Sequence, residues 1–174
     1  MRRWYARFAR GVRRGGTFVE IGSWKGRSTS FIGAICNANG TRLVCVDHWS
    51  GSHDSLAGRY AAALALEDVE QTFRANMKAL GIVVDVLAER SAAAAARFAP
   101  GSVDRVFLDG SHDGASVAED LRLWSERLRP DGIIAGHDYA PSKHPELCAA
   151  VDRFAAENAL IVKRGPRAIY WLER

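Results

Sequence analysis

The architecture of this chain depends on one stretch of sequence, Thr17-Phe18-Val19-Glu20-Ile21-Gly22-Ser23-Trp24-Lys25-Gly26-Arg27-Ser28-Thr29. A short apolar run ends near Glu20, turns through Gly22 and Gly26, and enters a helical pattern that begins near Ser28. This order predicts a strand, a tight loop and a helix N-terminus. Glycines let a ligand approach the backbone, and free N–H groups at a helix start hold anions. The competing interpretation is an ordinary βα turn, in which glycines are common.

Strand-like and helix-like patterns alternate along the rest of the chain, which predicts an α/β, doubly wound, seven-stranded and mostly parallel sheet. The last two strands flank Arg164-Gly165-Pro166-Arg167, which predicts a C-terminal antiparallel hairpin. We expect a single domain over 1–174. The predicted strands are 17–21, 42–47, 83–87, 105–109, 133–136, 160–163 and 168–172. The predicted helices are 28–37, 61–80, 92–98 (with Ser91 as N-cap), 115–128 and 146–157, with a loop at 48–59 and a turn at 129–132.

The composition is typical of a globular domain. The chain has 174 residues, of which 48% are hydrophobic and 25% charged, as in globular domains with a real core. No segment is long and apolar enough to span a membrane, and no secretory signal is recognisable. Cys36, Cys45 and Cys148 are scattered and odd in number, which indicates reduced thiols and a cytoplasmic location.

The first fourteen residues carry six arginines of a chain whose net charge is only +4. Trp4, Phe8 and Val12 recur between them at helical spacing, so we expect a basic amphipathic helix over 1–14 that packs its aromatic stripe on the domain. A patch that binds nucleic acid or phosphate is the alternative interpretation.

Carboxylates and a histidine stand at the predicted ends of four strands. The spacing Gly22-x-x-x-Gly26, with Trp24 between, is not the dinucleotide fingerprint G-x-G-x-x-G. Open α/β sheets bind ligands at the carboxyl ends of their strands, so these residues should meet at one edge of the sheet. They are Glu20, Asp47, Asp109 and His137-Asp138.

Three motifs then carry a resemblance that covers residues 17–172. They are Glu20–Thr29, Phe107–Asp113 and Gly136–Tyr139, accompanied by Asp120, Leu121, Trp124, Leu128, Pro130 and Gly132. The chain resembles the small class I S-adenosylmethionine-dependent methyltransferases with D-G-x-H and G-G-x-I-x-x-H-D-Y signatures, a group related to macrocin-type and cephalosporin-cluster O-methyltransferases.

The resemblance implies S-adenosylmethionine as cofactor and S-adenosylhomocysteine as product. The 22–26 loop would hold the methionine moiety, and Asp47 would accept hydrogen bonds from the ribose. The residues expected to bind the cofactor are Glu20, Gly22, Ser23, Trp24, Gly26, Ser28, Thr29, Asp47, His48, Trp49, Ser91, Asp109, Gly110 and His112. The family often has G-D-S where this chain has Glu89-Arg90-Ser91, which puts the contact of Ser91 with adenine in question.

The expected catalytic residues are His112, Asp109 and Asp138. His112 is the candidate base, and its alternative role is to fix the 110–114 loop or to touch the cofactor. Asp109, His137 and Asp138 form a candidate site for a divalent cation, Mg²⁺ or Mn²⁺; the alternative is that His137 and Asp138 only shape their loop. Relatives tend to carry a carboxylate where this chain has His137.

The resemblance implies O-methylation of a small hydroxylated acceptor such as a sugar, a phenol or a natural product. One alternative is a regulatory module that binds the cofactor without turnover. Another is an RNA methyltransferase that uses the arginine-rich start, but no base-methylation motif or RNA-binding domain supports it. A nicotinamide oxidoreductase is the weakest alternative. We expect no membrane partner, and a second subunit could complete the acceptor site in a homodimer.

Overall fold

A computed structural model describes residues 1–51 and 57–174, and within these ranges seven strands form one sheet. The order of the strands is β3-β2-β1-β4-β5-β7-β6. In chain order they are β1 (Thr17–Ile21), β2 (Arg42–Val46), β3 (Asp85–Leu87), β4 (Val103–Leu108), β5 (Leu128–Gly136), β6 (Ile161–Arg164) and β7 (Tyr170–Glu173).

The first five strands of the sheet run parallel, and β7 pairs antiparallel with both β5 and β6. The predicted fold class is therefore confirmed, including its C-terminal hairpin. β1 lies between β2 and β4, with Phe18 beside Leu43 on one side and Arg105 on the other. The loop that follows β1 therefore lies at the centre of the five parallel strands.

Helices cover both faces of the sheet. Side chains alternate between faces along a strand, so Phe18 and Phe107 pack on one side while Val19 and Val106 pack on the other. The first face is covered by α1, α2 and α4, and the second by α5, α6 and α7. The helices are α1 (Arg2–Arg10), α2 (Thr29–Ala38), α3 (Ala57–Leu66), α4 (Val69–Ala79), α5 (Ser91–Ala95), α6 (Gly114–Arg127) and α7 (Pro145–Glu157), with a 3₁₀ turn at Pro166–Ala168.

The N-terminal helix is shorter than predicted, because it ends at Arg10, before Gly11. Its apolar stripe packs as expected: Trp4 lies 6.1 Å from Phe107 and 5.8 Å from Trp171 between ring centroids. The arginines on its other face are exposed. The helix thus packs on one face of the sheet, and its arginine side chains are exposed to solvent.

The helix predicted over 61–80 is two helices, because Asp68 interrupts it. Its carboxylate accepts a hydrogen bond from Gln71 N at 2.9 Å and caps α4, which starts a new helix. The predicted 48–59 loop also ends early, since α3 begins at Ala57; residues 52–56 of that loop lie outside the described residues. None of the helices in the described part of the chain combines the length and apolar character needed to cross a bilayer.

Two other local predictions were wrong. The turn predicted at 129–132 lies inside β5, where Leu128 pairs with Val103 and Ile133 with Arg105. Between these two pairs β5 advances by five residues and β4 by only two. The extra residues of β5 form an irregular bulge. Ser91 is the first residue of α5 and not its N-cap, a position taken by Arg90.

Candidate functional site

The carboxyl ends of the parallel strands are aligned at one edge of the sheet, as predicted. Backbone hydrogen bonds continue past the strands: Asp109 N donates to Ile21 O at 2.8 Å, and His137 N donates to Leu108 O at 3.0 Å. Asp47 follows β2 at the same level, and its N–H donates to the end of β3. The register of the sheet therefore brings together the residues that the sequence placed at four strand ends.

The glycine loop after β1 is shaped by contacts within the protein. Gly22 has φ +84°, and a Cβ there would lie 2.3 Å from Asp109 O and 2.6 Å from Gly110 Cα. Gly26 has φ +85°, and its Cβ would meet the Met77 side chain at 2.4 Å. Both positions need glycine because the backbone conformation and the space exclude a side chain. The loop is thus closed tightly onto β4 and α4.

Glu20 is fully buried beneath this loop. One carboxylate oxygen accepts hydrogen bonds from the hydroxyls of Ser23 and Thr29 and lies 3.8 Å from Cys45 Sγ. The other oxygen, Oε1, has no hydrogen-bond partner among the described residues. Burial raises the pKa of Glu20, and these hydroxyls together with that of Ser28 oppose the rise. The predicted cofactor residues Ser23, Ser28 and Thr29 therefore surround Glu20.

Asp47 ties two loops together. Its Oδ2 accepts a hydrogen bond from Trp24 N and its Oδ1 from Trp49 N, both at 2.8 Å. The Trp49 indole donates to Trp24 O at 2.9 Å and packs 5.5 Å from the Phe73 ring. Both tryptophans have positive φ, 45° and 46°. The carboxylate holds the loops in this strained form, and its oxygens keep lone pairs for a further donor.

Two further predicted cofactor residues, His48 and Ser91, also have hydrogen-bond partners within the protein. His48 Nδ1 accepts a hydrogen bond from Ser50 N at 3.1 Å. Ser91 Oγ accepts one from the Trp124 indole at 2.8 Å and also contacts Asp120. Burial raises the pKa of Asp120 to about 6, against the lowering effect of Ser91. Ser91 thus fixes the start of α5 onto α6.

The histidines and carboxylates that follow β4 and β5 form one cluster. His112 Nε2 lies 3.0 Å from Asp138 Oδ2. His137 Nδ1 lies 3.1 Å from Asp138 Oδ1 and 3.6 Å from Asp109 Oδ1. The ligand atoms of Asp109, His137 and Asp138 all lie within 4.8 Å of one another, so these three residues could hold a cation.

Charge is unevenly distributed in this cluster. Burial raises the pKa of Asp109 to about 8; Asp138 and Glu20 add to the rise, while His137 opposes it. Burial tends to raise the pKa of Asp138, but hydrogen bonds with His112 and His137 hold this pKa well below the usual range. Burial would lower the pKa of His137, yet Asp138 and Asp109 raise it overall. Burial thus favours the protonated form of Asp109, which a cation would have to overcome, whereas the two histidine partners of Asp138 favour its charged form.

Sequence reasoning missed one member of the cluster, His144. Its Nε2 lies 4.0 Å from Asp138 Oδ1, and its ring stacks on that of His112 with centroids 4.4 Å apart and an angle of 22°. The residue stands directly before Pro145, the first residue of α7. The helix-start signal of Pro145 was visible in the sequence, but nothing showed that this helix begins beside Asp138.

A small cavity lies between this cluster and the core. It runs from the ends of β4 and β5 to the inner sides of α6 and α7, so its rim is polar and its base mostly apolar. Its lining comprises Leu108, Asp109, Gly110, Ser111, His112, Val117, Asp120, His137, Asp138, Leu147 and Tyr170.

Known proteins share the sequence family and the fold of this chain. A family model described as a methyltransferase domain matches residues 19–139, more than half of the chain. No curated protein sequence matches the chain. Among solved structures, the O-methyltransferase NovP has a TM-score of 0.73 at 18% identity and covers 99% of this chain and 78% of its own. The calicheamicin methyltransferase CalS11 has a TM-score of 0.67 at 16% identity, covering 99% of this chain and 76% of its own. A protein from Corynebacterium glutamicum has a TM-score of 0.65 at 18% identity, covering 98% and 78%.

Proposed function

The chain belongs to the class I S-adenosylmethionine-dependent methyltransferase family, and we propose that it methylates a hydroxyl of a small acceptor such as a sugar, a phenol or a natural product. The observation that carries this proposal is the cluster in which Asp138 contacts His112 and His137, beside Asp109 and the Gly22 loop. A candidate base and a candidate cation site at this edge of the sheet support the proposal, because such folds bind ligands there. NovP and CalS11 are both named as O-methyltransferases, which supports the choice of oxygen as acceptor.

The described residues fit S-adenosylmethionine. Asp47 presents a carboxylate between two ordered loops, suited to accept hydrogen bonds from ribose hydroxyls. Glu20 Oε1 is buried without a hydrogen-bond partner among the described residues, and the ammonium group of the methionine moiety is a donor that would satisfy it. The cofactor supplies the sulfonium methyl group. The chain supplies the loop that orients it and the packing of Trp49 that fixes this loop.

His112 is the proposed general base for the acceptor hydroxyl. Its side chain is only 8% exposed, and Nε2 lies 3.0 Å from Asp138 Oδ2. When the ring takes up the acceptor proton, the ionised Asp138 balances the imidazolium charge and holds the ring in one orientation, as a carboxylate does for a catalytic histidine elsewhere.

We also propose a divalent cation, Mg²⁺ or Mn²⁺, on Asp109, His137 and Asp138. The ligand atoms of these residues lie close enough to share one ion. Oxygen ligands favour hard cations, and the imidazole of His137 tilts the preference towards Mn²⁺. Bound there, the cation would supply Lewis-acid polarisation of the acceptor oxygen, and the three side chains would set its position.

The test is transfer of a labelled methyl group to a panel of hydroxylated acceptors, read by mass spectrometry. His112→Ala and Asp138→Asn are expected to lower kcat by roughly 100-fold or more, the usual contribution of a base and its partner. Asp131→Asn is the matched control, because Asp131 lies on β5, the strand that precedes Asp138, and its side chain is 81% exposed. EDTA should abolish turnover and Mn²⁺ or Mg²⁺ should restore it. Full turnover of His112→Ala would remove His112 as the base, and full turnover in EDTA would remove the cation.

Two alternatives are separated by the same panel. Tight cofactor binding with no transfer to any acceptor would favour a regulatory module. Transfer to RNA, with binding that falls steeply as salt rises, would favour an RNA methyltransferase that uses the exposed arginines of α1. The cytoplasmic location and the homodimer remain proposals, and the three buried free thiols support a reducing compartment.

A further inference from the structure

We propose that His112, Asp138 and His144 form a second metal site, selective for a late first-row divalent cation such as Zn²⁺ or Co²⁺. This donor set is distinct from the proposed hard-cation site on Asp109 and His137 and shares only Asp138 with it. Two imidazoles and one carboxylate on one side of an ion leave its other positions open, an arrangement found in mononuclear metal sites.

The distances suit a shared ion. His112 Nε2 and Asp138 Oδ2 are 3.0 Å apart, so they have to separate by roughly 0.3 Å to bind one tetrahedral metal at about 2.0–2.1 Å each. His144 Nε2 is 4.0 Å from the other oxygen, Oδ1, and has to approach the shared ligand atoms by at most about 1.5 Å. The ligand atoms of all three residues already lie within 4.8 Å of one another.

The three side chains are held by different elements that pack on one another. Asp138 follows β5 with φ +62°, a conformation that L-residues rarely adopt and that clusters at functional sites. His144 immediately precedes α7, whose Glu146 contacts Gly114 at the start of α6 and so fixes the loop that carries His112. His112 and His144 are 8% and 14% exposed, which limits the freedom that a bound ion would have to remove.

The chemistry of the two donor sets predicts different ions. Asp109, His137 and Asp138 offer two carboxylates and one imidazole, whereas the second set offers two imidazoles and one carboxylate. Imidazole suits Zn²⁺, Co²⁺ and Ni²⁺ far better than Mg²⁺. An ion on His112 Nε2 replaces the proton shared with Asp138. One consequence rests on the proposed function: a base bound to a metal cannot take the acceptor proton, so Zn²⁺ at this site would inhibit methyl transfer.

The test uses Co²⁺ as a probe on untagged, EDTA-treated protein, without cofactor or acceptor. The wild type should develop visible d–d absorption during titration, and Zn²⁺ should displace it. His144→Gln is expected to weaken Co²⁺ affinity by roughly 100-fold, since even indirect partners of a metal contribute 10–100-fold. This variant should fold, because the His144 side chain makes no cap hydrogen bond to α7. His48→Gln is the control and should keep the Co²⁺ affinity of the wild type, and Asp109→Asn, which removes a ligand of the other proposed site only, should lose less Co²⁺ affinity than His144→Gln.

A second measurement needs no variant. Long-range proton–nitrogen spectra of the histidine rings should show Zn²⁺ moving the signals of His112 and His144 while leaving His48 unchanged. Wild-type affinity in His144→Gln, an equal loss in Asp109→Asn, or no Co²⁺ spectrum in the wild type would each overturn the proposal. Because neither measurement requires turnover, the result is independent of whether methyl transfer is found.

Discussion

Adding one methyl group at Gly22 tests the packing that joins the glycine loop to β4. A Cβ at this position would lie 2.3 Å from Asp109 O, where non-bonded contacts normally begin near 3.4 Å, so the two segments have to separate by roughly 1 Å. The hydrogen bond from Asp109 N to Ile21 O is 2.8 Å long. A shift of that size would stretch it to about 3.8 Å and break it.

The loss of stability expected in Gly22→Ala has two causes, backbone strain and steric overlap, and a control variant separates them. The positive φ of Gly22 costs a side chain roughly 1–2 kcal/mol, and overpacking against backbone adds about 1–3 kcal/mol. Gly22→Ala should therefore lower the free energy of unfolding by roughly 2–5 kcal/mol. Gly81 also has positive φ, +65°, but a Cβ there meets nothing within 4 Å. Gly81→Ala should cost only about 1–2 kcal/mol.

Urea unfolding of the two variants measures this difference, and calorimetry with S-adenosylmethionine measures its effect on the site. Gly22→Ala should bind the cofactor more weakly because the loop and Asp109 move together, whereas Gly81→Ala should bind as the wild type does. Equal destabilisation of the two variants would show that strain alone accounts for the effect. The close approach of the loop to β4 would then be refuted.

Three further predictions concern other carboxylates. Asp47→Ala removes the acceptor of two loop N–H groups and the proposed ribose contact, so calorimetric affinity for S-adenosylmethionine should fall by about 1–3 kcal/mol; unchanged affinity would remove Asp47 from the cofactor site. Burial raises the pKa of Asp120 from 3.8 to about 6, so the contribution of Asp120 to the free energy of unfolding is fully present below pH 3.8 and is lost as pH rises through about 6. Asp120→Asn should therefore match the wild type in urea unfolding near pH 4 and exceed it by on the order of 2–3 kcal/mol near pH 8, and a difference independent of pH would contradict this. Asp68→Ala should cost about 1 kcal/mol in urea unfolding through loss of the α4 cap, and no change would show that the cap is not needed.

The sheet was predictable because its signals are local and repeated. Short apolar runs are separated by polar or glycine-containing turns, and the alternation of strands and helices leaves few topologies for the chain. The convergence of Asp47, Asp109 and His137 followed from that topology alone. The split at Asp68 and the bulge in β5 were not predicted, since a helical stripe continues across the cap and a turn signal also fits an irregular strand.

The contacts of individual site residues were less predictable. Glu20 is predicted to bind the cofactor because it stands near the end of a strand, but in the fold it lies under the loop. One of its oxygens accepts hydrogen bonds from Ser23 and Thr29, which leaves only Oε1 for the proposed cofactor contact. Its environment depends on which face of β1 it occupies and on how α2 starts above it. His144 lies beside His112 only because α7 begins where the loop after β5 returns to the sheet. That return is set by tertiary packing, which leaves no periodic pattern in the sequence.

Asp138 takes part in all three proposals: the general base, the Mg²⁺ or Mn²⁺ site and the second metal site. Variants of other residues are therefore needed to test each proposal separately. Its carboxylate lies within 4.0 Å of His112, His137 and His144, so it can orient the base, hold a hard cation or hold a late transition metal. Replacing Asp138 removes all three roles at once and cannot distinguish them. The single replacements at Asp109 and His144 each affect one donor set and leave Asp138 in place. The two proposed sites compete for one carboxylate, so Zn²⁺ should weaken Mn²⁺ binding less in His144→Gln than in the wild type. The weakening that persists in the variant comes from Zn²⁺ at the Mn²⁺ site itself, because such donor sets bind Zn²⁺ more tightly than Mn²⁺.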